Sequence, residues 1–227
     1  MANEIRAVDA DIAAKAGILL ARMHTIAEAA DFHVDNRVLF DPLADNDLFE
    51  PAAFFCHEEL LRSADGGLFE KIRKLYERYL AEIRRVQEPG YAVQGDFSNN
   101  NLFLADHGDI GIFDFNRCGD SCLFFDAVMQ GIYTARLMDY PGHLATHAEE
   151  IILPAFLKGY HSVRPFTEKQ QEAYPFLHAL ATAFWRMDLR WADHSLAKAA
   201  EKADQKALRQ WSDIIYRRLL DLAAMPV

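Results

Sequence analysis

Cysteine, uninterrupted apolar sequence and basic charge are all scarce in this chain of 227 residues. Its cysteines, Cys56, Cys118 and Cys122, form an odd and sparse set, which argues against a disulfide framework and favours a reducing compartment. No run of eighteen or more uncharged apolar residues occurs, and the first residues lack the pattern of a signal peptide. We therefore expect a soluble, cytoplasmic protein with no membrane partner.

The charge balance argues against a nucleic-acid partner. The chain has 34 acidic and 24 basic residues, which gives a formal net charge of −10 at pH 7. Proteins that bind nucleic acids neutralise phosphates with clustered Lys and Arg, and this composition has no such excess. An acidic surface suits cationic ligands or metal ions, and it also keeps a protein soluble.

Most of the chain has the periodicity of amphipathic helices. The pattern predicts helices at about residues 9–30, 69–83, 121–139, 143–160, 167–194 and 201–223. The stretch 31–51 is rich in Asp, Asn and Pro and is predicted to be a long loop. Thr167 and Gln170 have the spacing of a capping box, and Pro175 is expected to break or kink the helix that follows them.

A short β-region is predicted in the middle of the sequence. The apolar period shortens towards two in three runs, at residues 91–93, 102–105 and 110–113. The last two runs flank the turn 106–109, so they are predicted to pair as an antiparallel hairpin. The expected fold class is mainly α with a small β-hairpin (α+β).

Pairing the hairpin across a four-residue turn brings two oxygen-bearing side chains together. In that register residue 105 faces residue 110, and Asn101 faces Asp114 at the open end of the hairpin. Opposed residues of an antiparallel pair project to the same face, about 4.5–5.5 Å apart at Cβ. An amide oxygen and a carboxylate are ligands that Mg²⁺ accepts, so this pair is a candidate metal site.

A candidate catalytic base lies on the loop before the hairpin. Asp96 stands five residues before Asn101, in the D-x-x-x-x-N spacing of kinase catalytic loops, and Asp114-Phe115 follows where a metal-binding Asp-Phe pair is expected. A carboxylate at this position could accept the proton of a substrate hydroxyl. The alternative is that Asp and Asn simply favour the turns that bound short strands.

These motifs resemble the catalytic core of the aminoglycoside phosphotransferase and choline/homoserine kinase-like family. The residues that carry the resemblance are Gln94-Gly95-Asp96, Asn101-Leu102-Phe103-Leu104, Ile112-Phe113-Asp114-Phe115, Gly119-Asp120 and Phe125-Asp126-Ala127, with flanking similarity at 17–24, 156–160 and 163–165. The resemblance spans nearly the whole chain, but it covers only the C-terminal lobe of that family.

The resemblance implies roles for particular residues. Asp96 would be the catalytic base, Asn101 and Asp114 the Mg²⁺ ligands, and Asp126 a structural acid that braces the catalytic loop. Gln94 would also be structural, although the family usually has histidine there. ATP would be the phosphoryl donor, and a small hydroxylated molecule the acceptor.

The resemblance also implies an architecture, a single protein-kinase-like C-terminal lobe over residues 1–227. The catalytic loop and metal hairpin would occupy residues 91–116, and the helical substrate-binding part residues 121–227. Asn116 stands where an acid is common in the family, and residues 97–100 replace its usual Pro/Gly-containing tract.

Nucleotide-binding motifs are missing. Neither G-x-G-x-x-G nor G-x-x-x-x-G-K-[ST] occurs, and the region before the first helix has no room for a nucleotide lobe. We therefore expect little or no kinase activity from this chain alone. The expected partner is a missing N-terminal lobe on another polypeptide, or a second copy of the chain that associates through an exposed apolar face. The alternative is a non-catalytic, pseudokinase-like module that binds a small ligand or a protein.

Overall fold

The computed structural model describes residues 3–36, 38, 40–44, 49–144 and 147–225. The helices are α1 (Ala10–Ala29), α2 (Pro51–Phe55), α3 (Glu58–Arg84), α4 (Leu123–Arg136), α5 (Ala148–His161), α6 (Glu168–Ala183), α7 (Leu196–Glu201) and α8 (Gln205–Leu220). The strands are β1 (Asn3–Glu4), β2 (Tyr91–Val93), β3 (Leu102–Leu104), β4 (Ile110–Ile112) and β5 (Gly119–Ser121). A 3₁₀ turn spans Asn99–Asn101, and a π-helical turn spans Met187–Trp191.

The described residues form two compact units. The first contains residues 1–41 and 88–171 with the last three residues of the chain, and the second contains residues 42–87 and 172–224. The mainly helical class with small antiparallel sheets is confirmed. The prediction of one kinase-like lobe over residues 1–227 stays a prediction.

Helix α1 packs closely against α5 in the first unit, and α4 contacts both of these helices. Two glycines permit the close approach. A Cβ on Gly17 would lie 2.0 Å from the carbonyl oxygen of Phe156, and a Cβ on Gly159 would lie 2.0 Å from that of Ala14. The helix backbones therefore meet where a larger residue would force them apart.

The predicted hairpin exists, but the predicted register is wrong by one residue. Leu102 pairs with Ile112 and Leu104 with Ile110, so Asn101 lies opposite Phe113, whose N–H donates to the Asn101 carbonyl at 3.0 Å. The cause is the turn, because the Ala105 N–H donates to the Asp109 carbonyl and leaves a three-residue loop. Gly108 closes that loop with a φ of +83°, the left-handed conformation typical of three-residue hairpin loops.

Two strands were not predicted. β1 pairs antiparallel with β3 and extends the hairpin to a three-stranded sheet in the order β1-β3-β4. β2 pairs antiparallel with β5 in a separate two-stranded sheet. The loop between β2 and the hairpin, which carries Asp96, is therefore anchored at both ends by β-structure.

Helices α3 and α8 pack together in the second unit. Predicted helix 69–83 is the C-terminal part of α3, which begins earlier and contains a non-helical Asp65. Predicted helix 201–223 corresponds to α8, which begins later, at Gln205, and ends at Leu220. The loop predicted at 31–51 is confirmed for most of its described residues, although α2 begins at Pro51; residues 37, 39 and 45–48 lie outside the described part.

The capping box before α6 is confirmed, while the expected break at Pro175 is wrong. The Thr167 N–H donates to Gln170 Oε1 at 3.0 Å, and the Gln170 N–H donates to Thr167 Oγ1 at 3.3 Å. Helix α6 continues through Pro175 to Ala183. Only one intrahelical donor is missing at a proline, and the surrounding helix tolerates its loss here.

Candidate active site

The loop after β2 turns sharply at Gly95. Its φ is +82°, and a Cβ there would lie 2.1 Å from the carbonyl oxygen of Arg117, so only glycine fits. Asp96 follows immediately and is half-buried, whereas Phe97 after it is completely buried. The glycine and the buried phenylalanine thus fix the backbone on either side of the predicted base.

Gln94 joins this loop to the end of the hairpin. Its buried side chain accepts a hydrogen bond from the Asp96 N–H at 2.8 Å and donates one to the Asp114 carbonyl at 2.7 Å. A neutral histidine, which the resemblance expects at this position, also has one donor and one acceptor. Glutamine therefore preserves the hydrogen-bonding capacity that this position requires.

Asn101 is buried and also bonds to the Asp96 backbone. Its Nδ2 donates to the Asp96 carbonyl at 3.0 Å. The amide nitrogen must face the carbonyl, since two oxygens cannot form this bond, and so the orientation of the amide is determined. The Oδ1 atom of Asn101 is left as the acceptor of this side chain.

Asp114 follows β4 in an unusual backbone conformation. Its φ is +59°, in the left-handed region that is uncommon for residues other than glycine and in which Asp and Asn are enriched. The carboxylate is exposed, and its Oδ1 accepts a hydrogen bond from the Asn116 N–H at 3.2 Å, a local turn typical of Asp. Unusual backbone of this kind often occurs at functional sites.

The structure brings the four predicted residues of the loop and hairpin into one hydrogen-bonded network. Gln94 and Asn101 supply the side chains, and the backbones of Asp96 and Asp114 supply the partners. The link between Asp114 and the loop differs from the predicted one. Asp114 is joined to the loop by the hydrogen bond from Gln94, and it does not pair directly with Asn101.

The donor set suits a hard cation. Asn101 contributes an amide oxygen and Asp114 an exposed carboxylate, the oxygen ligands that Mg²⁺ prefers. Within the described residues, no three His, Cys, Asp or Glu side chains are grouped as metal ligands. A cation here would thus have few protein ligands, which is usual for Mg²⁺ that is also bound by phosphates and water.

Asp126, the predicted brace, belongs to a second, buried network. Its Oδ2 bonds to His24 Nε2 at 3.0 Å, and its Oδ1 accepts from Gln130 Nε2 at 3.2 Å. Gln130 Oε1 in turn accepts from the Phe97 N–H at 3.2 Å. Asp126 therefore reaches the loop through Gln130, one helical turn away on α4.

Tyr133 is a further group near the predicted base. Burial and, secondly, the negative charge of Asp96 raise the pKa of Tyr133 to about 12, while a hydrogen bond with Ser98 opposes the shift. The phenol consequently stays protonated at neutral pH and keeps its O–H. The sequence predictions did not include Tyr133, Gln130 or His24 as site residues.

Sequence reasoning could have found only some of these residues. Asp126 and Gln130 are the two polar residues one turn apart in an otherwise apolar stretch of α4, which is a recognisable signal. His24 lies 102 residues from Asp126, and no local pattern connects them. Asn99 is buried, and its Nδ2 donates to the Ile5 carbonyl at 3.2 Å.

Comparison with known proteins agrees with this fold. The family model described as "Phosphotransferase enzyme family" matches residues 3–166, which is more than half of the chain. Among solved structures, an aminoglycoside phosphotransferase from Alicyclobacillus acidocaldarius subsp. acidocaldarius is similar in fold, with a TM-score of 0.52 and 14% sequence identity. The alignment covers 97% of this chain and 68% of that one. No curated protein matches.

None of the described helices combines the length and the apolar content that crossing a bilayer needs.

Proposed function

Because this chain belongs to the phosphotransferase enzyme family, we propose that it is the metal-binding and acceptor-binding part of a kinase-like enzyme. The reaction is the transfer of the γ-phosphoryl group of ATP to a hydroxyl of a small molecule. One observation carries the proposal: the side chains of Gln94 and Asn101 join the backbones of Asp96 and Asp114 in one network.

Asp96 is the proposed base. Its N–H and its C=O are both hydrogen-bonded, so the backbone that carries the carboxylate is held in one orientation. The half-buried carboxylate can accept the proton of an acceptor hydroxyl as the oxygen attacks phosphorus. The protonated Tyr133 nearby can donate a hydrogen bond but cannot compete as a base at neutral pH.

Asn101 and Asp114 are the proposed residues that hold Mg²⁺. The Asn101 Oδ1 and the Asp114 carboxylate are the ligating atoms, and Asp126 braces the loop that carries Asp96 through Gln130. Bound Mg²⁺ would supply charge neutralisation for the phosphates.

We propose that ATP is not held productively by this chain alone. The sequence has no Gly-rich phosphate loop, although orientation of reactants contributes roughly 7–11 kcal/mol to the lowering of such barriers. Phosphoryl transfer depends mostly on positioning and charge stabilisation, so activity should be very low until a nucleotide lobe is added.

Calorimetric titration with Mg²⁺, in the presence and absence of ADP, tests the proposal. We expect Mg²⁺ binding that is lost in Asp114→Asn and retained in Asp109→Asn. Asp109 is an exposed aspartate in the turn of the same hairpin, so this control makes the same change of charge nearby. Equal Mg²⁺ affinity in both variants would refute the metal assignment.

A second candidate is the non-catalytic binding module, which a cavity beside Gln94 favours. The cavity has a volume of about 450 Å³ and a mainly apolar lining that includes Met23, Phe32, Phe115 and Cys118. Such a volume suits a small apolar ligand. Binding of a small apolar molecule with no measurable affinity for Mg²⁺ or ADP would favour this candidate over the enzyme.

We also propose a cytoplasmic location for this chain, and self-association as an alternative to a separate lobe. The free thiols Cys56, Cys118 and Cys122 suit a reducing compartment. Ile26, Phe32 and Phe115 are 68%, 57% and 50% exposed, an apolar set that supports association. Sedimentation of the wild-type chain tests association: a monomer at all concentrations would exclude it.

A further inference from the structure

Both polar atoms of one peptide group in the candidate site are held by side chains. The Asp96 carbonyl accepts from Asn101 Nδ2 at 3.0 Å, and the N–H of the following Phe97 donates to Gln130 Oε1 at 3.2 Å. This peptide therefore connects the amide of the proposed metal ligand to helix α4. If the peptide rotated, the carbonyl would leave Nδ2, and the orientation of the Asn101 amide would no longer be determined.

The network behind Gln130 is completely buried. Gln130 is 0% and Asp126 2% exposed, and Asp126 also bonds to His24, which is 0% exposed. The other ring nitrogen of His24, Nδ1, bonds to the hydroxyl of Tyr160 at 2.9 Å. Burial raises the pKa of Tyr160, so this hydroxyl stays protonated.

The directions of these hydrogen bonds are mutually consistent. With Tyr160 donating to Nδ1, the ring carries its proton on Nε2 and donates it to Asp126. Asp126 then accepts from His24 on one oxygen and from Gln130 on the other, so Gln130 must present its Oε1 to the Phe97 N–H. Within the described part of the chain, His24 is thus the hydrogen-bond partner of Asp126 Oδ2.

We propose that His24 is a positioning residue for the metal site. Acting through Asp126 and Gln130, it fixes the peptide between Asp96 and Phe97, and that peptide fixes the Asn101 amide with its Oδ1 available as a ligand. The inference rests on the proposed function, because it assigns Asn101 to a metal ion. His24 itself belongs to α1, and its ring nitrogens bond to Tyr160 and Asp126.

Three substitutions of His24 test the proposal. Glutamine can place an amide N–H where the Nε2–H of histidine lies, so His24→Gln should preserve the bond to Asp126. Asparagine is too short to reach it, and leucine has no donor. The control is Tyr79→Phe, which removes another buried hydrogen bond, from the Tyr79 hydroxyl to the Leu219 carbonyl at 2.9 Å, in the second unit.

Hydrogen exchange of the Phe97 amide, measured by NMR, is the first readout. We expect exchange to be at least about tenfold faster in His24→Leu and His24→Asn, as expected for a lost bond to a charged network, and close to wild type in His24→Gln and Tyr79→Phe. Unchanged exchange in His24→Leu, or equal acceleration in the Gln and Leu variants, would overturn the proposal. If His24→Leu does not fold, His24→Asn is compared with His24→Gln in the same way, and equal exchange in those two variants would overturn the proposal.

Binding of Mn²⁺, followed by its electron paramagnetic resonance signal, is the second readout. The affinity should fall about tenfold in His24→Leu and recover in His24→Gln, since a misoriented ligand shell typically costs this much or more. An unchanged affinity with faster Phe97 exchange would overturn the link to the metal. Absence of Mn²⁺ binding by the wild-type chain would instead contradict the proposed function, while the exchange experiment still tests whether His24 holds the peptide.

Discussion

Replacement of Gln94 by leucine should destabilise the protein by about 2–4 kcal/mol, and the structure shows why. The side chain is 1% exposed and makes two hydrogen bonds, to the Asp96 N–H and to the Asp114 carbonyl. Each bond contributes about 0.5–1.5 kcal/mol net, and a partner left unsatisfied costs about 1–3 kcal/mol. Asp114 is exposed and Asp96 half-buried, so water can replace part of the loss, and the estimate lies between about 1–3 kcal/mol for two net bonds and about 2–6 kcal/mol for two unsatisfied partners.

Urea denaturation followed by circular dichroism measures this change. Gln94→Glu separates the two bonds, because an ionised carboxylate can accept from the Asp96 N–H but cannot donate to the Asp114 carbonyl. The control is Gln87→Leu, an exposed glutamine for which a change within about 0.5 kcal/mol is expected. A Gln94→Leu effect no larger than that of the control would refute the reasoning.

Two further predictions concern packing and pH. Gly17→Ala should destabilise the fold by about 1–3 kcal/mol, because the added Cβ meets the Phe156 carbonyl. Gly66→Ala should be neutral or stabilising, because a Cβ at Gly66 meets nothing within 4 Å. Chemical denaturation of both variants measures the two effects. The raised pKa of Tyr133, about 12, contributes stability that is complete below the unfolded value near pH 10 and is lost as the pH rises through 12. Tyr133→Phe should therefore flatten the loss of stability between pH 10 and 12, and denaturation across that range checks this.

The elements with a clear hydrophobic period were predictable. Helix α1 was expected at residues 9–30 and spans Ala10–Ala29, where Asp9 caps it by accepting from the Ile12 N–H at 2.9 Å. β1 (Asn3–Glu4) and β5 (Gly119–Ser121) contain no apolar side chain and so show no hydrophobic period, and tertiary pairing alone defines them. The predicted hairpin register is wrong because the turn sequence allows loops of three or four residues, and the left-handed Gly108 selects the shorter loop.

The candidate site was predictable where its residues are close in sequence. Asp96 and Asn101 follow a known spacing, and the structure places the Asn101 amide on the Asp96 carbonyl. The buried network behind them was not predictable, because His24 and Asp126 meet only through the packing of α1 with α4 and α5. A short motif shows which residues carry the proposed chemistry, but the residues that orient them depend on tertiary structure.

Mg²⁺ affinity in Asp114→Asn, compared with Asp109→Asn, tests the central claim most directly. If the loop and hairpin form a metal site for phosphoryl transfer, Asp114→Asn should lose about tenfold or more in affinity, since it removes the only proposed carboxylate ligand, and Asp109→Asn should bind like wild type. Equal affinities in the two variants, or no Mg²⁺ binding by the wild-type chain with or without ADP, would contradict the account.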